Sequence, residues 1–131
     1  MTRFLTTIQQ GVRFVLDCLH RMRGGELFVP KIPSADILTI AEAVAPGCET
    51  ETVGIRNGEK LHELTIAEDD SRHTMDLDAF HMIAPQFSWW DDASYIGGKS
   101  VPEGFSYRSD TNPHRLTVEE VRDPVGPMQA A

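Results

Sequence analysis

Residues 6–47 read TTIQQGVRFVLDCLHRMRGGELFVPKIPSADILTIAEAVAPG, and this stretch decides the fold class. Ile8, Val12, Val15, Leu16 and Leu19 recur at helical spacing and give one apolar stripe. Thr6 or Thr7 can cap the start, Arg21 and Arg23 suit the negative end of the helix dipole, and Gly24-Gly25 supplies the stop. Gly11 weakens this helix, so a close neighbour against its face is expected. Leu27-Phe28-Val29 then reads as a short strand ended by Pro30. Pro33 holds Ile32 extended, Ser34 is placed to cap a second helix, and Ile37, Ile40, Ala41 and Val44 form the expected buried stripe of that helix. Pro46-Gly47 ends it. Helix, strand and helix in close succession predict an α/β chain.

Working outward, residues 49–55 (ETETVGI) read as an edge-type strand. Asn57-Gly58 is a strong turn signal, and Glu59 to Leu64 follow as an expected short helix with Leu61 and Leu64 inward. Glu68-Asp69-Asp70 with Arg72 and His73 reads as a solvated, mixed-charge surface. Phe80, Met82 and Ile83 predict another short strand, stopped by Pro85. From Gln86 to Asn112 the chain is rich in turns and aromatics, a loop with one short strand. Thr117 and Glu120 fit a capping box that opens a last helix, cut short by Pro124, Gly126 and Pro127. A few short strands do not make a large sheet, so a modest core or one completed by a partner is expected.

The chain has 131 residues, enough for one ordinary domain, and a formal net charge of -8. That balance disfavours a nucleic-acid groove and an electrostatic membrane anchor. It does not exclude a small anion, because one arginine in direct contact outweighs distant charge that salt screens. Cys18 and Cys48 have neither zinc spacing nor a disulfide framework, and read as reduced thiols in the cytoplasm. No secretory h-region and no membrane-spanning apolar run occurs in the sequence, so neither export nor a membrane is expected.

The chemistry-bearing motifs are few. No glycine-rich dinucleotide fingerprint is present, so no cofactor is expected within the chain. Gly97-Gly98-Lys99-Ser100 lacks the first glycine and the interval of a phosphate loop, and reads as a turn. The histidines His20, His62, His73, His81 and His114 form no HExxH, so no metal site is expected. The cluster Arg56-Asn57-Gly58-Glu59-Lys60 is different: a turn entering a helix gathers backbone N–H groups and a cation in a small volume suited to phosphate oxygens. Glu59 could accept a ligand hydroxyl or orient Arg56. An ordinary solvated surface turn would show the same residues. Arg3, beside Phe4, is open to the same two readings. His62 and Glu63 read as surface or support residues, and Trp89 and Trp90 as packing on a partner domain, with stacking on a base as the alternative.

MTRF (1–4), GGELFVPKIPS (24–34), VGIRNGEKLHE (53–63), IAEDDSR (66–72) and YRSDTNP (107–113) together closely resemble the C-terminal part of the inverting UDP-N-acetylglucosamine 4,6-dehydratases, in the polysaccharide-biosynthesis branch of the extended short-chain dehydrogenases/reductases. The resemblance runs from Met1 to about Arg122; it implies a substrate-binding C-terminal segment over 1–122 and a divergent, frayed tail over 123–131. It implies an N-terminal Rossmann domain in full-length members, which binds NADP and holds the catalytic Tyr-xxx-Lys. Tyr95 and Lys99 mimic that spacing but lie in the wrong part of the chain for it. By the same resemblance Arg3 is a substrate contact at the domain junction, Arg56 clamps the UDP diphosphate, and Glu59 contacts the ribose. The first helix belongs to the domain boundary, its apolar face covered by residues this chain lacks. The implied function is the UDP-sugar-binding portion of the dehydratase, inactive alone. The alternatives are a non-catalytic module that associates with a separately encoded Rossmann half or homologous subunit, and a gene fragment without function.

Overall fold

The computed structural model describes residues 1–90 and 98–123. In chain order they form β1 (Thr2–Phe4), α1 (Ile8–Arg21), β2 (Leu27–Pro30), β3 (Ser34–Asp36) and α2 (Ile37–Val44). After a long irregular stretch come β4 (Leu64–Ile66), a 3-10 helix (Glu68–His73), β5 (Thr74–Asp76) and β6 (Phe80–Ile83). The last elements are β7 (Lys99–Ser100), β8 (Tyr107–Arg108) and α3 (Val118–Arg122). The chain is α/β, as its alternation predicts, and it divides into two compact units.

Among the described residues, the first unit comprises Met1–Thr7, Ile32–Glu63 and 108–123. β1 pairs antiparallel with β3, with Thr2 opposite Asp36, Arg3 opposite Ala35 and Phe4 opposite Ser34. Ser34 is therefore a strand residue and not the cap expected of it. Asp36 takes that role: its carboxylate accepts from Leu38 N at 2.9 Å, and one residue closes a strand and opens a helix. The expected stripe on α2 is also revised. Ala43 is its buried residue, while Ile37 and Val44 are exposed. With only two turns and a neighbour as short as α3, α2 buries a narrow face. The core is Ala35 with Leu116, flanked by Leu5, Ile40 and Val121. α3 carries the complete capping box, Thr117 Oγ1 accepting from Glu120 N at 3.3 Å and Glu120 Oε2 from Thr117 N at 2.8 Å. Arg122 donates to the carbonyls of Ala43 and Glu42, the open end of α2. The prolines beyond it fall outside the described residues.

The second unit comprises Ile8–Lys31 and Leu64–Tyr107 among the described residues. Its sheet has four antiparallel strands in the order β2-β6-β5-β7, more sheet than the sequence led us to expect. β7 is formed by Lys99 and Ser100, which were read as part of a turn. Val29, Phe80 and Met82 are buried. Phe80 is the anchor for α1: Phe14 meets it edge-on at 6.2 Å, Phe28 at 5.4 Å, and the Arg21 guanidinium lies 5.6 Å from its centroid.

α1 thus turns a side other than its aliphatic stripe to its own unit. Gly11, Phe14 and Cys18 are its half-buried positions in mid-helix, and the aliphatic stripe is open. Ile8 is 83% exposed, and Val12, Val15, Leu16 and Leu19 are each 51–59% exposed. Gly11 has nothing within 4 Å of where a Cβ would stand, so the close neighbour expected for it is absent among the described residues. Burial, helped by Asp17, pushes the Cys18 thiol up from its ordinary pKa.

His81, buried on β6, lies 5.2 Å from the rings of both Phe105 and Tyr107. Its Nδ1 is 3.3 Å from Asp76 Oδ1, without the alignment of a hydrogen bond. Lys31 Nζ stands 2.6 Å from the same carboxylate oxygen. Burial lowers the His81 pKa, an effect that Asp76 opposes and Lys31 supports.

Candidate substrate-binding site

All three residues singled out by the sequence, Arg3, Arg56 and Glu59, fall in the first unit. Residues 48–63 form neither the expected edge strand nor the expected short helix. Alternating polar residues and positive-φ glycines at Gly54 and Gly58 leave that stretch irregular, and Leu61 and Leu64 are exposed. What remains of the expectation is the turn itself. Glu59 N donates to Arg56 O at 3.1 Å, and Gly58 takes φ of 80°. Asn57 stays at negative φ, so this is a type II arrangement and not the hairpin type that Asn-Gly also serves.

Glu59 closes the turn from the other side, its Oε2 accepting from Arg56 N at 3.0 Å. Without a following helix, Glu59 does not take the first-turn position expected for it, and its carboxylate serves the turn. Arg56 is exposed, and its guanidinium has no hydrogen bond or ion pair among the described residues. A cation whose backbone is locked at both ends of a tight turn, and whose head is left to solvent, is available to an anion.

Arg3 is the opposite case. Nη1 donates to Thr2 O at 2.8 Å and to Leu61 O at 3.3 Å, Nη2 donates to Lys60 O at 3.0 Å, and Nε faces Glu63 Oε1 at 3.4 Å. The side chain is half-buried and engaged on nearly all its donors. β1 carries it past the segment that follows the turn, where Thr2 N also donates to Leu61 O at 3.0 Å.

Beneath these groups lies a hydroxyl pair that sequence reading missed. Thr2 Oγ1 is 2.7 Å from Ser109 Oγ and 2.8 Å from His62 Nδ1, and Glu63 N donates to Ser109 Oγ at 2.8 Å. Ser109 is fully buried and Thr2 nearly so. Buried hydroxyls demand partners, and here each supplies the other's. His62 and Glu63 serve as support, in line with the sequence reading. Beside Ser109, Arg108 grips Asp110 through two charge-assisted bonds of 2.9 and 2.8 Å, which hold the Asp110 carboxyl below its usual range.

The second unit has its own cavity of about 290 Å³, bordered by Arg72, His73, Trp90 and Ser100 among others; it contains none of the expected site residues. No group of His, Cys, Asp or Glu able to hold a metal occurs among the described residues. A dinucleotide cofactor does not fit them either. Where a strand runs into a helix, at β3 and α2, the junction is Asp36 and not a glycine-rich loop. Trp90 and Lys99 are described, whereas Tyr95 and Gly97 lie outside the described residues. No helix among the described residues is long and apolar enough to cross a membrane.

The α/β fold of this chain is shared with Pen from Bacillus thuringiensis. That solved structure matches 98% of this chain with a TM-score of 0.73 and 23% identity, over 38% of its own length. Residues 1–85 match the family described as polysaccharide biosynthesis protein, and the chain belongs to that family. It is 42% identical over 130 residues to a UDP-N-acetylglucosamine 4,6-dehydratase (inverting) of Campylobacter jejuni serotype O:23/36, covering 94% of this chain and 39% of that relative. The enzyme of the same name from serotype O:2 is 44% identical, covering 92% of this chain and 38% of the relative. A UDP-glucose 4-epimerase of Rickettsia canadensis is 32% identical, covering 94% and 38%. The chain therefore spans well under half the length of these relatives.

Proposed function

We propose that this chain is the UDP-sugar-binding portion of an inverting UDP-N-acetylglucosamine 4,6-dehydratase, the small C-terminal part of an extended short-chain dehydrogenase/reductase. The observation that supports it most is the identity of 42% and 44% to two enzymes of that name across nearly the whole chain. Arg56 is the diphosphate clamp. Its exposed guanidinium can meet phosphate oxygens in paired, charge-assisted bonds. Glu59 holds the turn through one carboxylate oxygen and keeps the other for a ribose hydroxyl. Arg3 belongs to the same site. NADP and the catalytic residues belong to the Rossmann half, so the chain alone binds weakly and does not turn substrate over, and its setting is the cytoplasm.

Titrating UDP-N-acetylglucosamine into wild type and Arg56→Ala tests the clamp. Loss of the arginine should weaken binding by about tenfold or more. Equal affinities would remove Arg56 from this role. Turnover by the pure chain with NADP would overturn its assignment as a binding portion only.

A second reading, an association module for a Rossmann half or a homologous subunit, is favoured by the open aliphatic face of α1. Co-expression with such a half should give a stable complex; recovery of both chains only as separate species would count against it.

A further inference from the structure

We infer that Arg3 acts as a positioning residue for the Arg56 turn and not as a ligand for substrate; this rests on the reading of Arg56 as the diphosphate clamp. Nearly all the donors of Arg3 are already engaged. They reach two carbonyls, Lys60 and Leu61, directly after the turn, and its own strand at Thr2 O. Its remaining edge faces the Glu63 carboxylate. To contact a diphosphate, the guanidinium would have to abandon these carbonyls and its ion pair with Glu63.

The turn needs such a strut. Residues 48–63 have no helix or strand ladder of their own. The turn's internal bonds, Glu59 N to Arg56 O and Arg56 N to Glu59 Oε2, define its shape but not its place. Place is set where the segment meets β1, and there the contacts include Thr2 N to Leu61 O, Thr2 Oγ1 to His62 Nδ1 and the Arg3 fork, of which the fork lies nearest the turn. A planar guanidinium spans two successive carbonyls in fixed geometry; an ammonium on a flexible stem does not. Ion pairing with Glu63 orients the fork. Through this chain β1 fixes where the Arg56 head group stands, which is the preorganisation that affinity requires.

The test is a double-mutant cycle with UDP as probe, using Arg3→Lys, Arg3→Ala and Arg56→Ala in the full chain. With Arg56 present, either Arg3 variant should weaken UDP binding about tenfold. In the Arg56→Ala background the same change should cost less than about twofold, because the group through which Arg3 acts is gone. A general loss of stability would lower binding equally in both backgrounds. Equal losses, or a full effect of Arg3→Ala without Arg56, would overturn the inference. A ligand-free measurement stands beside it: amide resonances of residues 57–61 should move toward random-coil positions in Arg3→Lys while those of α2 stay. Unmoved resonances would equally overturn it. If Arg56→Ala leaves UDP affinity unchanged, the clamp reading fails, and the resonances alone decide the role of Arg3.

Discussion

The polar end of β1 and the aliphatic face of α1 stand a few residues apart in sequence and are opposites in completeness. At Thr2 and Arg3 nearly every donor and acceptor has a partner within the same unit. On α1 no residue is buried, and five aliphatic side chains face outward. The first region is finished by contacts this chain contains. The second has the composition of a packed helix without the packing. Amphipathicity therefore marks which face can be buried and leaves open which surface does the burying.

Phe80 is where α1 is held, and breaking it should give the largest effect. Phe80→Ala removes the ring that meets Phe14, Phe28 and Arg21. A loss of about 3–5 kcal/mol is expected, with α1 released from its sheet. Urea denaturation read at α1 amides checks it, and a loss below about 1 kcal/mol would mean that α1 is held elsewhere.

The finished region should respond next. Ser109→Ala strips partners from the Thr2 hydroxyl and Glu63 N. The expected cost is about 1–3 kcal/mol in thermal or urea unfolding, with little change in the second unit's amides. An unchanged midpoint would show that water replaces the serine at no cost.

A smaller effect follows from pH. Burial holds the folded-state pKa of His81 below its ordinary 6.5. Such a group contributes stability that is present above 6.5 and is lost as pH falls through the folded value, because the unfolded chain takes up the proton more readily. Midpoints recorded from neutral pH downward should fall across that window in wild type and fall less in His81→Gln. Asp110, with its carboxyl held down by Arg108, adds a loss of the same sign in the acid range.

The smallest effect should be Leu16→Lys. Leu16 is 51% exposed, so the isolated chain should change by about 0.5 kcal/mol or less. The contrast is the point of the experiment. A change that is silent in the chain alone, and disruptive with a Rossmann half present, would say what the face is for.

Much of the fold was legible from local patterns. The Thr117–Glu120 box opens α3, because its two bonds act within one turn of backbone, and Gly24-Gly25, both at positive φ, lie just past the end of α1 at Arg21. The failures share a cause. Ser34 and Asp36 are both fair caps; pairing of 34–36 with β1 holds Ser34 inside a strand and leaves Asp36 at its end to open the helix, a choice made from outside the window. The expected helix after Glu59 lost to a segment that instead bonds to β1. For the site, Asn57-Gly58 announced the turn and the motif resemblance singled out Arg56. Nothing local announced the Thr2–Ser109 pair, since its members are 107 positions apart.

That separation has a temporal side. Thr2 leaves a ribosome 107 residues ahead of Ser109, so their bond must wait for that whole stretch to be made. Strands β2, β5 and β6 pair within the first 83 residues and have no such wait. The sheet of the second unit can therefore form while the seat of Arg56 is still incomplete, and a nascent chain halted before Ser109 would carry a folded sheet and an unset turn.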